Sequence, residues 1–110
     1  MTELINKIVY VLNDKLAEDI SIIDFNHTNS VTDYFIIATA KNYRHANSLV
    51  DFLSDELDKL DVEIYHIHNI KDSGWLVIDL GDIVIHIFLN EDRDKYQLEK
   101  LWADQIILKM

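Results

Sequence analysis

From residue 3 to residue 16, Ile5, Ile8, Val9, Leu12 and Leu16 recur at three- and four-residue intervals, the spacing of one helix face. Thr2 is placed to cap this predicted helix, and Glu3 falls in its first turn, where the helix dipole favours an acid. The pattern then changes. Residues 19–25 (DISIIDF) and 33–40 (DYFIIATA) are short, β-branched and aromatic, which predicts two strands separated by the polar stretch from Asn26 to Ser30. Apolar or small residues occupy both parities of the second run, as in a central strand covered on both faces. From Asn42 onward the helical period returns. Ala46, Leu49, Val50, Leu53, Leu57 and Leu60 form one stripe, with Asp51, Asp55, Glu56 and Asp58 off it.

Residues 63–68 (EIYHIH) predict a third strand whose alternating polar positions mark a sheet edge. Two further strands, 75–80 (WLVIDL) and 83–88 (IVIHIF), flank Gly81-Asp82, a glycine-first pair that suits a two-residue type II′ or I′ hairpin turn. Asn90 can cap a last helix whose first turn holds Glu91 and Asp92 and which offers Tyr96, Leu98, Leu101 and Trp102 for burial. The order αββαβββα predicts an α+β sandwich, a mixed sheet of about five strands flanked by helices, in one domain over residues 1–110.

The turn fixes the cross-strand partners. Leu80 faces Ile83, Ile78 faces Ile85 and Leu76 faces Ile87 on one side, which is purely aliphatic and belongs to the core. The opposite side sets Asp79 beside Val84, Val77 beside His86 and Trp75 beside Phe88. Two readings of this second face stay open. A helix covers it, with Asp79 and His86 hydrogen-bonded at the margin; or it is a docking surface, because an aromatic anchor, a small apolar centre and a polar rim are what a protein-protein contact uses.

Charge narrows the class of partner. Ten Lys and Arg against twenty Asp and Glu leave a formal charge of −10, a field that repels phosphate backbones and attracts basic surfaces. Extensive direct nucleic-acid binding is therefore not expected, since Lys41, Arg44 and His45 are the only hint of a basic patch. No run approaches the ~20 apolar residues of a membrane-spanning helix, so a cytoplasmic protein is expected. Cysteine is absent, which removes disulfides, thiolate metal sites and cysteine nucleophiles.

The remaining chemistry is thin. Nucleotidyl transfer needs carboxylates that converge on Mg²⁺, but Asp79 and Asp82 straddle a turn at odd separation and cannot share one strand face. No glycine-rich phosphate cradle precedes them, and no serine has a nucleophile-elbow setting. His66 and His68 share one strand face and, with His86 nearby, could hold zinc; alternating polar residues on an edge strand are more commonly just solvated. No catalytic residue, metal site or cofactor is expected.

Four segments in order, KLAEDI (15–20), VTDYFIIAT (31–39), GWLVIDLGDIVIHIF (74–88) and YQLEKLW (96–102), resemble the successive signatures of the Iojap/RsfS family. The resemblance implies a sheet-and-helix fold shaped like a nucleotidyltransferase but without its catalytic motifs, and a ribosomal silencing factor rather than an enzyme. It further implies binding to the large ribosomal subunit through ribosomal protein uL-fourteen. That binding would block association with the small subunit and repress translation under nutrient limitation, in stationary phase. A homodimer of the free protein is implied as well. The family's partner-binding surface maps onto Trp75, Asp79, Asp82 and His86, with Val77 and Val84 between them. The segment HIHNIKDS (66–73) departs from the family's usual glycine- and glutamate-rich loop. The rival expectations are a divergent nucleotidyltransferase-like protein holding a nucleotide through Asp24, Asp79 or Asp82, and a homodimeric structural module.

Overall fold

The computed structural model describes residues 2–25, 32–70 and 74–109, so the linking stretch from Asn26 to Ser30 and the side chain of Thr2 lie outside the described residues. The first stripe forms α1 (Thr2–Asp14), which buries Ile5, Ile8, Val11 and Leu12. The helix ends before the stripe does. Leu16 takes φ 70 and is 64 % exposed, while the Ala17 N–H reaches back to the Leu12 carbonyl at 2.9 Å, a left-handed helix stop in place of another turn.

β1 (Glu18–Asp24) and β2 (Tyr34–Ala40) pair antiparallel. The Asn42 side chain accepts from the His45 N–H at 2.8 Å and so caps α2 (Tyr43–Lys59), satisfying one of the donors that a helix start leaves open. Ala46, Leu49, Leu53 and Leu57 are buried along α2, whereas Leu60 lies at its C-terminal end and is exposed. β3 (His66–Asn69) starts three residues later than the polar-apolar alternation implied. β4 (Trp75–Asp79) and β5 (Ile83–Leu89) form the hairpin in the expected register, with Trp75 opposite Phe88, Val77 opposite His86 and Asp79 opposite Val84. Gly81 has φ 86 and Asp82 is not among the positive-φ residues, which selects the type II′ turn; the Leu80 N–H closes it on the Ile83 carbonyl at 2.9 Å.

The C-terminal region corrects the expectation of one last helix. α3 (Asn90–Tyr96) begins with Asn90 inside it and Leu89 at the cap without a side-chain hydrogen bond, and Gln97 breaks it with φ 46. A 3₁₀ segment (Leu98–Gln105) follows, in which Leu101 is exposed instead of buried, and then a strand not foreseen, β6 (Ile106–Lys109). Among the described residues the sheet is mixed, as expected, and has six strands, one more than the sequence suggests, in the order β3-β4-β5-β2-β1-β6. Only the β2–β5 pair is parallel; the other neighbours are antiparallel. β2 occupies the interior of the sheet and is buried from Ile36 to Ala40, as its double apolar parity required.

One face of the sheet packs under α1 and α2. Leu76, Ile78, Leu80, Ile83, Ile85 and Ile87 of the hairpin join Ile22, Ile36 and Ala38 there, so the aliphatic side of the hairpin is the main core. The other face holds a second, aromatic cluster and carries the residues singled out for function.

Candidate functional site

Strand register carries the second face across the sheet. His66 and His68 stand opposite Asp79 and Val77; Asp79 and Val77 stand opposite Val84 and His86; and these adjoin Phe35 and Ile37 of β2. The two halves of that face differ in cover. Over β5, β2 and β1, residues from α3 and the 3₁₀ segment form a roof: Tyr96, Leu98 and Trp102 pack with Phe35, Trp75 and Ile106 around buried Ile23, Phe25, Ile37 and Phe88. Trp75 stacks on Phe88 with ring centroids 5.0 Å apart and meets Tyr96 at 4.7 Å, while Trp102 meets Phe25 edge-on at 5.0 Å. Toward β3 the face opens. Val77, Asp79 and Val84 are only half-buried, and every residue of β3 is exposed.

A buried arginine fastens the roof. Arg93 of α3 is 7 % exposed; its guanidinium donates to the Asp19 carbonyl, to Thr39 Oγ1 at 2.9 Å and to Ser21 Oγ at 3.3 Å, and its Nε donates to Glu99 Oε1 at 3.3 Å. One side chain thus ties α3 to the 3₁₀ segment, β1 and β2. Nothing in the polar run NEDRDK (90–95) marks Arg93 as the residue that turns inward. The available signal lay elsewhere, in Ser21 and Thr39, polar residues on otherwise apolar strands that need partners once buried.

The six candidate residues do not form one uniform surface. Val77, Asp79 and Val84 lie together on the open strip, with Trp75 half-buried at its border with the roof. Asp79 Oδ1 accepts the Gly81 N–H at 2.8 Å, so the acid locks the turn as well as facing outward. Asp82 is exposed at the tip, and its carbonyl accepts from the Asp33 and Tyr34 N–H groups at 2.9 and 3.1 Å and from the Thr32 hydroxyl at 3.0 Å. These bonds anchor the hairpin turn to the start of β2. His86 lies underneath, 5 % exposed, its Nδ1 accepting the Trp75 indole N–H at 3.0 Å and its ring edge-on to Phe35 at 4.5 Å.

An Nδ1 that accepts places the proton of neutral His86 on Nε2, which is buried and has no partner among the described residues. Burial pushes the pKa of His86 down from 6.5 to about 4. The unfolded chain therefore binds a proton that the folded chain refuses between those values. The contribution is fully present above the unfolded value and is lost as pH falls from 6.5 through about 4. Lowering the pH from 7 to 5 should cost about 2 kcal/mol through this residue alone. Urea unfolding of the protein and of His86→Gln at both pH values checks this: the variant should lose most of that pH dependence, and equal slopes would refute the assignment.

Among the described residues, no group of three or more His, Asp or Glu side chains converges as a metal site. His86 in particular is held by Trp75 and does not join His66 and His68.

The family model described as ribosomal silencing factor during starvation matches residues 1–109. The chain belongs to the ribosomal silencing factor family. The Bacillus subtilis ribosomal silencing factor RsfS is 33 % identical over 92 residues, covering 84 % of this chain and 78 % of the relative. A Mus musculus protein named mitochondrial assembly of ribosomal large subunit protein 1 is 34 % identical over 102 residues, covering 90 % of this chain but 45 % of the relative. The crystal structure of a Chromobacterium violaceum protein superposes with a TM-score of 0.86 at 27 % identity, over 94 % of this chain and 86 % of that one. The family is thus one of silencing factors, named for regulation and not for a reaction.

Proposed function

We propose that this protein docks on the large ribosomal subunit through ribosomal protein uL-fourteen and, by its bulk, keeps the small subunit from joining, which lowers translation when nutrients are short. The observation that carries this reading is the open strip beside the aromatic roof. Val77 and Val84 offer a small apolar centre there, Trp75 an aromatic border, and Asp79 and Asp82 an acidic rim. The strip is carried on paired strands of the sheet, so little backbone ordering entropy is lost on contact. A chain of charge −10 complements a basic ribosomal protein better than it does RNA. Membership of the silencing-factor family supports the ribosome as the target, and the large-subunit assembly role in the name of the mouse relative supports that subunit.

The mechanism is steric and turns nothing over. Purified small subunits should join large subunits less completely when the protein is present, read as the joined fraction after sedimentation. Val77→Lys sets a cation in the apolar centre, against a basic partner, without removing any roof residue. It should weaken large-subunit binding by about 2 kcal/mol, close to 30-fold, and restore joining. Unimpaired joining at saturating protein, or a folded Val77→Lys that still blocks it, would refute the reading.

A further inference from the structure

His66 and His68 are two residues apart on β3, so both imidazoles project from the same face of the strand, and all four residues of β3 are exposed. Among the described residues β3 is the outermost strand and is paired on one side only, with β4. The two ring centroids lie 5.2 Å apart with the planes tilted by 32°. Zinc–imidazole bonds of about 2.0–2.1 Å place each ring centroid about 3.2 Å from a shared ion, and two such rings at a tetrahedral angle are about 5.2 Å apart. The centroid spacing in β3 matches that distance, so rotation of the two exposed rings about their side-chain bonds suffices to turn a nitrogen of each toward one ion.

We propose that His66 and His68 together bind a divalent transition-metal ion of the zinc class at the free edge of the sheet, with water in the remaining coordination positions. The inference does not depend on the ribosomal reading. Imidazole donors favour zinc, nickel and copper ions over magnesium and calcium, and the chain has no cysteine to capture such an ion elsewhere. Two of the other histidines are committed. His45 accepts the Lys41 N–H at Nδ1 and bonds the Lys15 carbonyl through Nε2, at 3.0 and 2.8 Å, and His86 is buried against Trp75. The net charge of −10 draws dications toward the surface. Asp79 stands opposite His66, but its Oδ1 is occupied by the Gly81 N–H, and no third ligand converges among the described residues. The site is therefore an open two-imidazole chelate and not a closed structural zinc site. A bound ion there puts positive charge at the margin of the acidic strip.

Titration of the full chain with zinc chloride, followed by calorimetry and by the imidazole NMR signals, tests the site. Saturable binding should shift the signals of His66 and His68 together, and magnesium chloride should produce no shift. His66→Gln and His68→Gln alter exposed positions; circular dichroism confirms their folds, and each should weaken zinc binding at least tenfold, because one imidazole alone is no chelate. Absence of saturable zinc binding, or a loss smaller than tenfold in either folded variant, overturns the proposal.

Discussion

Arg93→Ala should destabilise the protein by about 4 kcal/mol, the scale expected when one partner of a buried charged network is removed. The four acceptors of the guanidinium, the Asp19 carbonyl, Thr39, Ser21 and Glu99, all lose their donor together. Glu99 suffers most. Its Oε2 is already buried without a hydrogen bond among the described residues, and truncation takes away the guanidinium that its Oε1 pairs with. The damage should be local before it is global. α3 and the 3₁₀ segment are held to the sheet by the aromatic cluster and by this side chain, so their amides should exchange with solvent early while α1 and α2 stay protected. Urea unfolding gives the total loss, and residue-resolved hydrogen exchange gives its location. Arg93→Lys should recover only part of it, because an ammonium cannot reproduce the fork that reaches β1, β2 and the 3₁₀ segment at once. A loss below about 1 kcal/mol for Arg93→Ala would mean that the roof stands on its aromatic contacts alone.

Legibility along the chain followed the strength of periodic signals. The hairpin could be read completely, since one turn with a glycine at its first position fixes every cross-strand pair, and Trp75/Phe88, Val77/His86 and Asp79/Val84 are the observed partners. The helices under the main core were equally plain in type, and only their ends drifted, at Leu16 and Leu60, where an apolar residue continued the stripe past the last helical turn. Beyond Asn90 the reading failed. A polar run with Tyr96, Leu98, Leu101 and Trp102 after it reads as one amphipathic helix, but Gln97 enters the left-handed region and the chain restarts as a 3₁₀ segment. β6 was missed because IILK (106–109) is four residues long and lacks polar-apolar alternation, and a register shift in its pairing with β1 sends Ile106 to the aromatic cluster and Leu108 to the main core. The same failure hid the character of the candidate site. Whether the second face of the hairpin is roofed or open depends on where residues 90–105 fold back, and the answer is both, in adjacent halves.

Trp75→Ala should cost about 3 kcal/mol of stability, as large-to-small changes of aromatic residues in a packed cluster do. The indole stacks on Phe88, meets Tyr96 at a tilt and supplies the donor that His86 Nδ1 accepts, so alanine opens a void beneath the roof and strands a buried nitrogen in one step. A binding defect in this variant would therefore confound contact with scaffold. Trp75→Phe separates the two. Phenylalanine keeps an aromatic face on Phe88 and Tyr96 but cannot donate to His86, so it should cost about 1–2 kcal/mol, the penalty of one unsatisfied buried acceptor. If the Trp75 surface itself touches the ribosomal partner, Trp75→Phe should bind the large subunit markedly more weakly than its stability loss explains, in line with Val77→Lys. If Trp75 only props the strip, Trp75→Phe should bind within about threefold of the unaltered protein at a temperature where both are folded, which is under 1 kcal/mol. Thermal unfolding measured beside large-subunit co-sedimentation distinguishes these outcomes. The second is the one expected, because the half-buried indole spends most of its surface on Phe88, Tyr96 and His86, and leaves Val77, Val84 and the two acids to meet the partner.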